Sequence, residues 1–142
     1  MEPANVGLII DSSVVIAGER RGRTVRQILE QFKAGYGEIE IGLSVVTIVE
    51  LTHGIQRAGT EERRRRRQAF VDELIRDMPV HPVTIETARL AGRIGGDQAA
   101  QGVTVAFEDL LIAATALQFG FGVATGNVRH FEQIPGLKIV KL

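Results

Sequence analysis

The sequence predicts an α/β domain built on a mainly parallel sheet, and three observations carry that prediction. A short, wholly apolar run over residues 6–10 ends at Asp11, the pattern of a strand buried on both faces. Similar runs alternate along the chain with segments whose apolar residues recur at helical spacing. No Pro/Ser/Gly-rich linker and no internal repeat divides the 142 residues, which suits one domain, residues 1–142, with a core over about 6–136.

Taken in order, the pattern assigns no element between the first strand and Thr24. Residues 24–36 place Val25, Ile28, Leu29 and Phe32 at helical spacing and are closed by Gly35 and Gly37. Residues 39–43 read as a second strand. Residues 44–55 read as a helix despite their β-branched content, because the segment ends at Gly54 and offers no hairpin pairing. Thr60 caps a charged helix that runs to about Met78, with Phe70, Leu74 and Met78 on one face. A brief strand covers 80–83, and Thr84 opens a helix expected to fade at Gly95 and Gly96. A long helix follows over 105–119, then a strand at 123–125, one helical turn at 128–131 and a last strand at 137–142.

Composition is that of an ordinary soluble protein, 44% apolar and 24% charged. Lys plus Arg equals Asp plus Glu at 17 each, so net charge neither argues for nor excludes a nucleic-acid partner. The absence of cysteine excludes disulfides and thiolate metal sites. No signal peptide is visible, and the most apolar stretch, 110–124, falls short of the ~20 residues of a membrane span. A cytoplasmic protein with no membrane partner is expected.

Chemistry concentrates where acids meet element ends. Asp11 directly follows the first strand, where parallel sheets bind ligands, although an aspartate there also serves as a helix N-cap. Glu50 lies inside the apolar segment 45–51, and an isolated charge there is costly unless compensated. Thr47 and Glu50 also match a capping box, provided the helix starts at Thr47; if it starts at Ser44, Glu50 is interior and needs a partner. Asp109, with Glu108 beside it, sits near the start of a helix, where negative charge is favourable in itself. Its helical spacing to Ile112, Ala113 and Ala116 turns it inward. Asn127, after Thr125 and Gly126, ends a strand and is a natural N-cap for the turn that follows.

Together these residues put three acids and an amide on what reads as one edge of the sheet. Clustered carboxylates raise each other's pKa, and a hard divalent cation such as Mg²⁺ or Mn²⁺ relieves the repulsion. Such a cation lowers the pKa of water and steadies charge on a phosphoryl group, the chemistry of phosphodiester hydrolysis.

The succession Leu8-Ile9-Ile10-Asp11-Ser12-Ser13, Val49-Glu50-Leu51, Asp109-Leu110-Leu111-Ile112-Ala113-Ala114-Thr115-Ala116 and Thr125-Gly126-Asn127-Val128-Arg129-His130-Phe131 resembles the PIN-domain family. It is similar in particular to the VapC toxins of VapBC modules. The helix motif beginning at Asp109 is its most specific part. The resemblance implies a PIN-like three-layer sandwich with a five-stranded sheet, and Mg²⁺- or Mn²⁺-dependent cleavage of single-stranded RNA by the toxin of a type II toxin–antitoxin system. It implies that Asp11, Glu50 and Asp109 hold the metal, that Ser12 and Thr125 support them, and that Asn127 stands at a fourth catalytic position often held by an acid. It implies a cognate antitoxin and a homodimer. His130 stands where the toxin subgroup often has aspartate.

Other features invite a functional reading that their surroundings weaken. Residues 63–67 are five consecutive arginines, which exceed one helical turn and cannot form a single stripe. With Glu61, Glu62, Asp72 and Glu73 in reach, they read as a solvated, partly self-neutralised helix rather than an RNA groove, with an antitoxin or dimer contact left open. His53 and His81 are assigned to packing or surface, and Ser12 and Ser13 to no triad. Two other readings stand beside the nuclease. A PIN-like module without activity would only bind a partner. A phospho-accepting receiver domain would need paired acids after the first strand, where Asp11 stands alone.

Overall fold

Five parallel strands form the centre of the computed structural model, which describes residues 6–141. They are β1 (Gly7–Ile10), β2 (Glu40–Ser44), β3 (Val80–His81), β4 (Gly122–Thr125) and β5 (Ile139–Lys141), in the order β3-β2-β1-β4-β5. Every neighbouring pair is parallel. Residues 1–5 and Leu142, the end of the expected last strand, lie outside the described residues.

The helices connecting these strands cover both faces. They are α1 (Ser12–Arg20), α2 (Val25–Tyr36), α3 (Val45–Gln56), α4 (Glu61–Asp77), α5 (Ile85–Ala100), α6 (Phe107–Phe119) and the single turn α7 (Val128–Phe131). Side chains alternate across the pleat of β1, so Leu8 and Ile10 enter one core with Val15, Ile28, Phe32, Leu51 and Leu74. Ile9 enters the other with Ile112, Ala116, Val123 and Phe131. Both faces are dry, which is why β1 reads as a continuous apolar run rather than an alternating one. The arrangement is the expected three-layer α/β sandwich.

Helix α6 is packed on every side, with Ile112 through Ala116 buried. Its one buried hydroxyl, Thr115 Oγ1, donates to Leu111 O at 2.8 Å, so no polar atom there is stranded. Phe131 is fully buried and pins the short α7, a burial that contributes roughly 1.5–3 kcal/mol.

Three local features differ from the sequence reading. A full helix, α1, occupies the stretch left unassigned before Thr24. Its Val14-Val15-Ile16 run and Gly18 hide it from helix propensity, but Val14 and Val15 are held in the core. Helix α5 does not fade at Gly95 and Gly96; it continues to Ala100 and turns at Gly102, where φ is +79°. A Cβ on Gly95 would lie 2.9 Å from Leu110 Cδ1, so that glycine permits close approach of α5 to α6 instead of ending a helix. The third strand is shorter than expected, stopping at His81, because Pro82 has no N–H to donate.

Candidate active site

Strands β1 and β4 pair Ile10 with Ala124, so the next residues, Asp11 and Thr125, emerge side by side at the carboxyl edge of the sheet. The Asp11 N–H continues the ladder to Ala124 O at 2.9 Å. Asp11 occupies the N-cap position of α1, yet its carboxylate caps nothing. Instead Oδ2 accepts from Ser13 Oγ and from Thr125 Oγ1, both at 2.8 Å. Each hydroxyl in turn accepts a backbone N–H from the loop after β4. Gly126 donates to Ser13 at 3.0 Å, and Asn127 donates to Thr125 at 2.9 Å. A buried carboxylate is thereby held by two hydroxyls that are themselves held.

Glu50 comes from α3. That helix starts at Val45, with Ser44 Oγ accepting from Val46 N at 3.1 Å, so the capping box that would have explained Glu50 does not form. Glu50 is interior, and its Oε1 is buried with no hydrogen-bond partner. Burial and the charges of Asp11, Asp109 and Glu108 push its carboxyl up to about 7, opposed only by the Ser12 hydroxyl. Asp109 projects inward from the first turn of α6, 14% exposed. Burial raises its carboxyl to about 6; His130 opposes that rise, while Asp11 and Glu108 add to it. His130 Nδ1 lies 3.4 Å from Asp109 Oδ2.

Three acids distant in sequence therefore share one electrostatic neighbourhood. Among the described residues no group of three His, Cys, Asp or Glu side chains is arranged to hold a metal ion. The donor set nevertheless fits a hard cation: all its atoms are oxygens, two of the acids resist ionisation together, and one buried carboxylate oxygen lacks any partner.

Comparison with known proteins decides the family. The PIN domain model matches residues 8–137.

The chain belongs to the PIN domain family.

Within the family, this PIN domain is 34% identical over 135 residues to Ribonuclease VapC1 of Rickettsia felis, covering 95% of the chain and 96% of that relative. Among solved structures it is similar to VapBC of Salmonella typhimurium bound to DNA, with a TM-score of 0.80 and 26% identity over 96% of this chain and 98% of that one. VapBC-5 of Mycobacterium tuberculosis, a member of the VapBC family of toxin–antitoxin systems, superposes with a TM-score of 0.73 and 28% identity over 99% and 100% of the two chains. This membership sets aside the receiver-domain reading.

The remaining candidates are placed unevenly. Asn127 is exposed and makes no side-chain cap for α7, contrary to the capping role considered for it; its backbone alone ties it to Thr125. Ser12 turns to Glu50. Ser13, for which the sequence suggested no role, is the hydroxyl that grips Asp11. Its signal was its place two residues after the strand-end acid, within the local reach of a serine side chain. His53 is exposed, and His81 packs on Phe119 with ring centroids 4.6 Å apart. Among the described residues no helix is long and apolar enough to cross a membrane.

Proposed function

We propose that this PIN domain, a single domain over residues 1–142, is a metal-dependent endoribonuclease and the toxin of a type II toxin–antitoxin pair, acting in the cytoplasm. The observation that carries the metal is Glu50, a half-buried carboxylate with one buried, unpartnered oxygen, facing two further acids. Asp11, Glu50 and Asp109 would hold Mg²⁺ or Mn²⁺. A cation bound there supplies a lowered pKa for the attacking water and offsets charge on the phosphate.

The chain's own residues prepare that site. Ser13 and Thr125 fix the Asp11 carboxylate, so one of its oxygens is committed and its orientation is set before any ligand arrives. Thr125 and Asn127 place polar groups at the loop where the scissile phosphate would lie. Ser12 favours the ionised form of Glu50, which the bound cation requires.

Partners follow from the same reading. The named ribonuclease relative supports RNA as the substrate, and the solved VapBC relatives support a cognate antitoxin. A homodimer is part of the same reading, carried by the likeness to the VapC toxins. Purified protein is expected to cleave single-stranded RNA with Mg²⁺ or Mn²⁺, to stop in excess chelator and to resume on metal return. Undiminished cleavage in chelator, absent from a matched inactive variant, would falsify the metal mechanism; absence of cleavage under all conditions would favour the binding-module reading.

A further inference from the structure

The five arginines of α4 are divided by the helix into two groups with different surroundings. Arg64 and Arg65 turn to Glu61, at 3.5 and 3.7 Å. Arg63, Arg66 and Arg67, spaced i, i+3 and i+4, share another face and line a cleft of about 220 Å³ together with Glu19 and Arg20 at the end of α1. Arg67 is anchored there, its Nη1 donating to Gly54 O at 3.1 Å across the last turn of α3. Among the described residues Arg20, Arg63 and Arg66 make no ion pair, and Glu19 is the one acid lining the cleft. A second cavity of about 190 Å³ shares Glu19, Arg20 and Arg67 with the cleft and has Glu50 in its wall. The cleft with its four guanidinium groups on two helices thus adjoins a largely apolar cavity that reaches Glu50.

Like charges gathered without enough acids favour an anionic ligand, and the planar guanidinium fork matches the oxygens of a phosphodiester. We infer that the cleft lined by Arg20, Arg63, Arg66 and Arg67 is a phosphodiester-binding subsite, which takes the RNA backbone to one side of the cleavage point. This rests on the ribonuclease reading above. Arg64 and Arg65 belong to the helix surface and not to the subsite.

The test is binding of a short single-stranded RNA in chelator, where cleavage is arrested, measured against salt. The double variant Arg63→Gln/Arg66→Gln should raise Kd at least tenfold at low salt. It should also reduce the slope of log K against log salt by about 1.4, two contacts at about 0.7 each. Arg20→Gln, on the other helix, should shift both in the same direction by about half. Arg64→Gln/Arg65→Gln should change Kd by less than about twofold, all variants melting like wild type. The inference is overturned if the two double variants weaken binding equally, or if neither does while wild type binds and cleaves RNA; the ribonuclease reading then survives. It is overturned too if the cleft variants lose affinity for an acidic peptide while RNA binding is untouched. If wild type neither binds nor cleaves RNA, the ribonuclease reading falls with it.

Discussion

The acids of the candidate site and the arginines of α4 are like-charge groups organised in opposite ways. Asp11, Glu50 and Asp109 are far apart in sequence, on the end of β1, the middle of α3 and the start of α6, and the fold brings them into mutual repulsion. Residues 63–67 are contiguous, yet the helix sends two of them to Glu61 and turns three toward α1. Burial separates the outcomes as well. Glu50 and Asp109 are partly desolvated and their ionisation is shifted, whereas most of the arginines stand in water, where a neighbouring charge has little effect. Adjacency along the chain is thus a poor guide to which charges act together.

The largest effect that would sharpen this contrast comes from the acid side. Asp109→Asn should lower RNA cleavage at least about 100-fold, or about 2.7 kcal/mol in the barrier. It should leave the metal-free protein as stable as wild type or more so, because one repelling charge is gone. Mg²⁺ should raise the melting temperature of wild type and barely move the variant. A variant that melts lower and answers Mg²⁺ like wild type would mean that Asp109 only supports its helix.

A smaller effect is expected from pH. In the metal-free protein Glu50 and Asp109 hold their protons up to about 7 and about 6, above their ordinary values of 4.5 and 3.8. Between the ordinary and raised values the folded protein binds more protons than the unfolded chain, so stability falls as pH rises. Their penalty is absent below about pH 4 and complete above about pH 7. Melts in chelator from pH 5 to 8 should show wild type losing ground to Glu50→Gln up to about pH 7 and holding level beyond it. Parallel curves for the two would remove Glu50 from the shared site.

The smallest effect lies on the arginine side. Glu61→Gln deletes both ion pairs of the run and one acid from the first turn of α4, all of it exposed. Exposed pairs and helix-end charges contribute about 0.3–1 kcal/mol each, so denaturant midpoints should drop only slightly. A loss of several kcal/mol would show that the run is a structural network and that its exposure misleads.

Much of this molecule was legible in the residues themselves. The continuous apolar run of β1, the helical spacing of α2 and the apolar circumference of α6 each state their burial, because removal of apolar surface from water drives all three. The motif from Asp109 onward carried the family. Elsewhere the sequence was silent or pointed the wrong way. Gly95 read as a stop because glycine weakens helices, but its missing side chain serves the contact with Leu110. Glu50 could be a cap or an interior charge, and only the start of α3 at Val45 decided between them. Which serine holds Asp11, where the Asn127 side chain does not bond, and which arginines share a cleft all depend on how separate elements are oriented. Sequence determined what each element must bury, since that is a property of local composition and period. Tertiary structure alone decided which polar groups meet at the carboxyl edge of the sheet, since hydrogen bonds and charges act over a few ångströms between residues that the chain separates by a hundred or more.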